Sequence, residues 1–179
     1  MSTMTSPAPT VSSLQAASPF VVAPGQGLDA PLARLGTIHK IPTNVTGGRI
    51  AIVEHTLPPR ALAAPLHRHS REDELSIVLS GRIGALLGDA VVCGDAGAYV
   101  WKPRHQWHTF WNAGDAELRF IELLLPGGFD GYFARLSPLL QAAGGADPAA
   151  IAALAGEYGI EFDFAGVPAI CERFGLTFV

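Results

Sequence analysis

Residues 65–81 read PLHRHSREDELSIVLSG, and residues 94–112 read GDAGAYVWKPRHQWHTFWN. His67 and His69 are two residues apart, so on a strand both side chains leave the same face. Glu74 begins the β-rich run that follows, and His108 lies in a later one. Three imidazoles and one carboxylate form a mixed nitrogen and oxygen ligand set that suits a divalent transition metal. The pattern predicts one metal site made of His67, His69, Glu74 and His108.

The alternative is that these histidines are ordinary surface or core residues, as an isolated His-x-His pair in a loop usually is. The three histidines are half of the six in the chain. They stand in two segments that each combine a turn with a strand pattern, and the intervening turns allow the segments to be neighbours. We therefore favour the metal site.

The spacing of these residues resembles the two motifs of the cupin superfamily. His67-x-His69 is followed after four residues by Glu74 and after six more by Gly81. Gly97 is followed after five residues by Pro103, then by His108 and Asn112. Two turn positions depart from the motifs, because Ala61 and His105 stand where the family has glycine. These departures affect local turn geometry and leave all four ligand positions in place.

Short strands separated by turns every eight to twelve residues indicate an antiparallel sandwich or barrel. The resemblance implies an all-β fold of the cupin jelly-roll type, a β-barrel built as an antiparallel double-sheet sandwich with short C-terminal α-helices. We expect a disordered tail over 1–18, the β-barrel over 19–126 and a helical extension over 127–179. Helical spacing and turn residues predict two or three short helices in 129–175. They are expected to help to shape the cavity, with the outside of the sandwich favoured over its mouth as the surface on which they pack.

The resemblance gives Glu74 two roles, as a fourth metal ligand or as a general base beside the metal. The ligand set does not distinguish Fe, Mn, Ni, Co, Cu and Zn. An incomplete ligand shell leaves positions for a substrate and for O₂.

The face that Glu74 and His108 share predicts the wall of a substrate pocket. His55, on an earlier strand, is interpreted as a wall residue rather than a fifth ligand. No lysine or arginine is placed on this face, although the directions of Arg68, Arg71 and Arg82 stay open. A largely apolar pocket favours an aromatic or otherwise uncharged substrate. The expected substrate-binding residues are Ser76, Val78, Gln106 and Phe110, with Tyr99 or Trp101 as further candidates.

The bulk composition limits the partners. A net charge of −4 without a basic block argues against nucleic acid. The N-terminus lacks the basic start and apolar run of a signal peptide, and no apolar run is long enough for a membrane span. Two distant cysteines suggest reduced thiols in a cytoplasmic protein. We expect a small-molecule substrate and a homodimer that pairs through Ile77, Trp107 and Trp111.

The arrangement of the C-terminal third resembles small bacterial cupins of the quercetin-dioxygenase-like kind. This resemblance implies a metal-dependent dioxygenase that acts on a small, apolar or aromatic substrate with O₂. The alternatives are a metal-dependent isomerase or lyase and a non-catalytic small-molecule-binding cupin.

Overall fold

The computed structural model describes residues 19–142 and 147–178, so the tail predicted for 1–18 lies outside the described residues. Two β-sheets pack against each other, and their inward side chains form the hydrophobic core. The predicted all-β sandwich with short C-terminal helices is confirmed.

The first sheet has six strands, and every pairing in it is antiparallel. In spatial order they are β1 (Leu28–Asp29), β2 (Gly36–Ile41), β3 (Ala51–Leu57), β11 (Leu118–Leu125), β6 (Asp73–Ser80) and β9 (Tyr99–Lys102).

The second sheet is organised around its central strand, β10 (His108–Asn112). One edge of β10 pairs with β7 (Arg82–Leu87), and β7 continues into β8 (Ala90–Asp95) through a hairpin turn at Gly88-Asp89. The other edge pairs with two short strands, and each of these carries a further strand on its outer side. They are β4 (Ala61–Leu62) with β13 (Thr177–Phe178), and β5 (Leu66–His69) with β12 (Ile160–Asp163).

Period-two burial in the long strands forms the core. In β6 the buried side chains are Glu74, Ser76 and Val78, whereas Leu79 is exposed. In β11 every second residue from Leu118 is buried. Because successive side chains of a strand point to opposite faces, each of these strands supplies one row to the interior.

Within residues 19–142 and 147–178 four helices accompany the sheets, and three of them lie in the C-terminal part. Asp147 caps α3, with its side chain accepting a hydrogen bond from the backbone N–H of Ala149, and Gly159 ends the helix at a φ of 69°. Both ends follow from local chemistry, since the capping side chain and the left-handed glycine involve only neighbouring residues. The helices are α1 (Thr43–Thr46), α2 (Asp130–Leu140), α3 (Pro148–Tyr158) and α4 (Val167–Phe174).

In the described part of the chain, no helix has the length and apolar character that crossing a membrane requires.

The C-terminal extension also contains two strands that the sequence analysis did not predict. β12 pairs antiparallel with β5, and Phe162 lies opposite His67. β13 pairs with β4, in parallel, so the second sheet is mixed rather than fully antiparallel. Both strands satisfy backbone groups that the short edge strands would otherwise leave unpaired.

Trp111 does not lie on a free surface, contrary to the expectation for pairing. It is buried under α4, with its ring stacked on Phe174 at 4.4 Å between centroids and packed with Leu62 and Ile170. An apolar side chain on the outer face of β10 needs a cover, and the amphipathic α4 provides it. This helix therefore packs on the outside of the sandwich, as predicted.

Candidate metal centre

The structure brings together the four predicted ligands. His67 and His69 lie on β5, Glu74 on β6 and His108 on β10, and all four are buried. Each offers one ligand atom, and these atoms all lie within 4.8 Å of one another. His67 and His108 are direct cross-strand partners, with ring centroids 4.3 Å apart. The cluster therefore joins the two sheets, since β6 belongs to the opposite sheet from β5 and β10.

Two of the imidazoles are oriented by backbone carbonyl groups. Nδ1 of His67 donates to the carbonyl oxygen of Pro65 at 2.8 Å, and Nδ1 of His108 donates to that of Gln106 at 3.0 Å. A carbonyl oxygen only accepts, so both rings carry their proton on Nδ1 and leave Nε2 as the ligand atom. In each case the acceptor is two residues earlier in the chain.

His69 is buried without any hydrogen bond to either ring nitrogen among the described residues. Its Nε2 lies 3.3 Å from Oε1 of Glu74, and its Nδ1 lies 3.8 Å from Oε2 of Glu72. Buried polar atoms are normally satisfied, so an unpaired buried imidazole beside two others indicates a missing partner. Burial lowers the pKa of His69 to about 4, which keeps the ring in the neutral form that binds metal.

Glu74 is a buried carboxylate held among positive and polar groups. Burial by itself would raise its pKa, but Lys102, His69 and His108 together lower the pKa well below its ordinary value. Its Oε2 lies 3.0 Å from Nζ of Lys102 and 3.2 Å from Nε2 of His108. Three imidazoles, one of them unpaired, and one ionised carboxylate fit a divalent transition metal ion.

A family model described as a cupin domain matches residues 53–124, which include all four ligands. The chain contains a cupin domain. The resemblance to the cupin superfamily is therefore confirmed, and it covers the strands from β3 to β11.

Several solved structures are similar to this cupin. KdgF from Halomonas sp. is 19% identical, with 55% of this chain and 84% of that chain covered and a TM-score of 0.49. A predicted oxalate decarboxylase from Thermotoga maritima is 20% identical, with 51% and 80% covered and a TM-score of 0.46. An uncharacterized conserved protein with a double-stranded beta-helix domain from Klebsiella pneumoniae is 18% identical, with 69% and 92% covered and a TM-score of 0.46. No curated protein matches the sequence. At these identities and TM-scores the likenesses carry no argument about activity.

The backbone conformation shows how the turn accommodates one of the two departures from the cupin motifs. His105, which stands where the family has glycine, adopts a left-handed conformation with a φ of 67°. Its backbone N–H donates to the carbonyl oxygen of His69 at 2.7 Å, which links the loop before β10 to β5. The turn therefore keeps the conformation that glycine would favour, although a side chain there is less favourable.

The cupin interior also contains a lysine and a second glutamate that the sequence analysis missed. Lys102 is only 1% exposed, and its Nζ lies 2.8 Å from Oε2 of Glu122 as well as 3.0 Å from Glu74. The Ser76 hydroxyl donates to Glu122 at 3.0 Å. Alternation in β9 and β11 is the signal that could have placed both residues inward, because Val100 and Phe120 are their same-face neighbours.

A cavity of about 580 Å³ opens beside the cluster. Its polar lining side chains are His55, Glu74, Glu122 and Tyr132, and no lysine or arginine lines it in the described part of the chain. His55 is thus a wall residue, as the sequence analysis interpreted it. The apolar lining includes Leu32, Leu35, Ala63, Phe110, Phe129, Phe133, Leu136, Ile151 and Phe162.

The structure separates the expected substrate-binding residues into three groups. Phe110 lines the cavity, whereas Ser76 and Val78 face inward but are buried behind its wall. The prediction for Gln106 was wrong, because this residue lies on the exposed surface. It precedes β10, and the alternation of that strand does not extend to it. Tyr99 and Trp101 are also exposed, being the residues of β9 that alternate with Val100 and Lys102.

The first two C-terminal helices help to form the wall of the cavity, as the sequence analysis expected, although it favoured the outside of the sandwich as their packing surface. Phe129 and residues of α2 and α3 form part of its wall. The Phe129 ring meets His69 edge to face, with centroids 4.5 Å apart. These helices are apolar on the side that needs burial, and the cavity mouth offers apolar surface to cover.

Proposed function

We propose that this cupin is a metal-dependent oxidoreductase of the dioxygenase type, acting with O₂ on a small, largely apolar or aromatic substrate. The observation that carries the proposal is the position of the ligand cluster, because Glu74 belongs both to the cluster and to the wall of the apolar cavity. A molecule in that cavity would meet the metal ligands directly. The narrower quercetinase-like identification rests on the sequence resemblance.

The cluster residues would hold the metal, and the residues of the cavity wall would hold the substrate. His67, His69, Glu74 and His108 would hold one divalent ion, which when bound supplies a Lewis acid for an enolate or phenolate oxygen. Lys102 fixes one oxygen of Glu74 and leaves Oε1 directed at His69. Glu74 is therefore positioned either to complete the ligand set or to take a proton from the substrate.

The part of the cavity wall that the structure describes has no cationic side chain, which disfavours a phosphorylated substrate. Phosphate recognition relies on arginine, lysine or clustered backbone N–H groups. The wall offers aromatic and aliphatic surface instead, of which Phe110, Phe129 and Phe133 are members. Its volume of about 580 Å³ is within the range of small-molecule sites.

A metal-dependent isomerase or lyase is the second candidate, and Glu122 is the observation that favours it. Burial raises the pKa of this carboxyl to about 7, although Lys102 acts in the opposite direction. Glu122 also belongs to the cavity wall. A carboxyl that exchanges its proton near neutral pH suits proton transfer without oxygen chemistry.

The test is an oxygen-electrode screen of protein loaded separately with each of the six candidate metals. The substrates are flavonols, catechols and β-diketones. His69→Ala removes a buried ligand, and His105→Asn is the matched control because it removes an exposed histidine and keeps a residue that tolerates positive φ.

Oxygen uptake that is lost in His69→Ala and kept in His105→Asn would support the dioxygenase. Product formation without oxygen uptake would favour the isomerase or lyase. Tight ligand binding with no turnover would favour the non-catalytic binding cupin. Elemental analysis of protein purified without a chelator identifies the resident metal.

The expected homodimer and cytoplasmic location stay predictions. Because α4 covers Trp111, we expect pairing to use the exposed aromatic residues of β9, which are Tyr99 and Trp101. Light scattering at micromolar concentration should give the mass of a dimer, and a monomer would contradict the prediction.

A further inference from the structure

His55 is a buried histidine in the cavity wall that is not part of the ligand cluster. It lies on β3 and is 2% exposed, with its ring against Phe120 at 5.1 Å and Phe133 at 5.6 Å between centroids. Burial of a polar ring in such surroundings is costly unless its nitrogen atoms have partners. The partners of the two nitrogen atoms therefore indicate what the residue does.

Nδ1 of His55 is fixed as a hydrogen-bond donor. It lies 3.3 Å from the carbonyl oxygen of Gly36, which can only accept. It also lies 3.1 Å from Oγ1 of Thr37, whose own hydroxyl donates to the carbonyl oxygen of Leu35 at 3.4 Å. Both contacts place the proton of the neutral ring on Nδ1, so Nε2 carries a lone pair and is an acceptor.

Nε2 of His55 has no hydrogen-bond partner among the described residues. The Nε2 atoms of His39 and His69 are fully buried and unpaired. Nε2 of His55 is also unpaired, but it is not one of these fully buried atoms. His55 lines the cavity, so the cavity is the space that this acceptor nitrogen can reach. Burial, the largest effect, lowers the pKa of His55 to about 4, so the ring stays a neutral acceptor at physiological pH.

We propose that His55 is a specificity-determining residue whose Nε2 accepts a hydrogen bond from a hydroxyl or N–H group of the bound molecule. The inference deepens the proposed function and rests on it for the second anchor, the metal end of the cavity. The substrate would then be a largely aromatic molecule with an oxygen for the metal and, separated from it, a hydroxyl or N–H for His55. An analogue that lacks this donor would leave a buried acceptor unpaired.

The test measures binding, not turnover. Metal-loaded protein is titrated under argon, by calorimetry, with 3-hydroxyflavones that carry one additional hydroxyl at different ring positions, each beside its methyl ether. We expect a hydroxyl preference of roughly tenfold to a hundredfold at one ring position. His55→Phe should reduce that ratio to about twofold, whereas His55→Gln, which keeps an acceptor oxygen, should retain part of it.

A second measurement needs no variant. In ¹⁵N-labelled wild-type protein, the Nε2 resonance of His55 should be that of an unprotonated imidazole nitrogen, and it should shift on binding of the preferred hydroxyflavone but not of its ether. A purely structural histidine would show no such difference.

Ratios near one at every ring position, or no binding by any of these flavones, would overturn the inference, whether or not oxygen is consumed. A clear hydroxyl preference without oxygen uptake would keep His55 as the specificity residue and remove the dioxygenase proposal. The two failures are thus distinguishable.

Discussion

Lys102 provides the sharpest test of the interior electrostatics. Its ammonium group is buried between two carboxylates, 2.8 Å from Oε2 of Glu122 and 3.0 Å from Oε2 of Glu74. It also lies 4.5 Å from the ring centre of Phe110. Lys102→Met keeps a long apolar side chain and removes only the charge. Two buried carboxylates then lose their common counter-charge.

The expected cost follows from these contacts. A hydrogen bond to a charged group contributes about 1.5–3 kcal/mol, so two contribute roughly 3–6 kcal/mol. The carboxylates recover part of this by binding protons, and breaking a buried pair by removing one partner costs about 3–5 kcal/mol in general. We expect Lys102→Met to lower the free energy of unfolding of the metal-free protein by about 3–5 kcal/mol. A bound divalent ion compensates Glu74, so the loss should be smaller in metal-loaded protein.

Urea unfolding with a chelator present, followed by tryptophan fluorescence, measures this loss. Adding Glu122→Gln to Lys102→Met should restore part of the stability, because it removes one of the stranded charges. Arg82→Met is the matched control, since its pair with Asp95 is exposed and contributes within about 0.5 kcal/mol. A loss below about 1 kcal/mol in metal-free Lys102→Met would refute the reasoning.

Three further predictions concern the metal, the wall histidine and the last helix. Chelator treatment should lower the melting temperature and a divalent ion should restore it, since an ion at one hundred times its Kd adds about 2.7 kcal/mol; no change on either step would contradict the site. Because the pKa of His55 is about 4 when folded and about 6.5 when unfolded, its contribution to stability is complete above 6.5. This contribution should be lost as the pH falls towards 4, and the loss should be roughly 3 kcal/mol. In urea titrations, the free energy of unfolding of His55→Gln should therefore fall less between pH 7 and pH 4.5 than that of the wild type. Equal losses would contradict this. Phe174→Ala removes the ring stacked on Trp111 and should cost about 1.5–3 kcal/mol and shift tryptophan emission to longer wavelength. Unchanged emission would show that Trp111 stays covered.

The residues of the buried cluster were predictable from the sequence because they occur in two short motifs of characteristic spacing. His67 and His69 share a face by strand geometry, and turns bring the segment of His108 beside theirs. Helix ends at Asp147 and Gly159 were predictable for the same reason, since a cap involves only neighbouring residues. Gln106 was misplaced because the alternation was extended into a loop that precedes the strand.

The sequence by itself thus determined the all-β character from strand periodicity, the candidate ligand set from motif spacing, and the ends of α3 from local hydrogen bonding, while the resemblance to cupins selected the two-sheet jelly roll. Only the tertiary structure decided the pairing of β12 with β5, the closure of the cavity by α2 and α3, and the meeting of Lys102 with Glu122. These features depend on which distant segments compete for the same apolar surface and unpaired backbone. From sequence alone, a charged residue such as Lys102 is expected to be solvent-exposed. Its burial becomes favourable only because the fold places two carboxylates beside it.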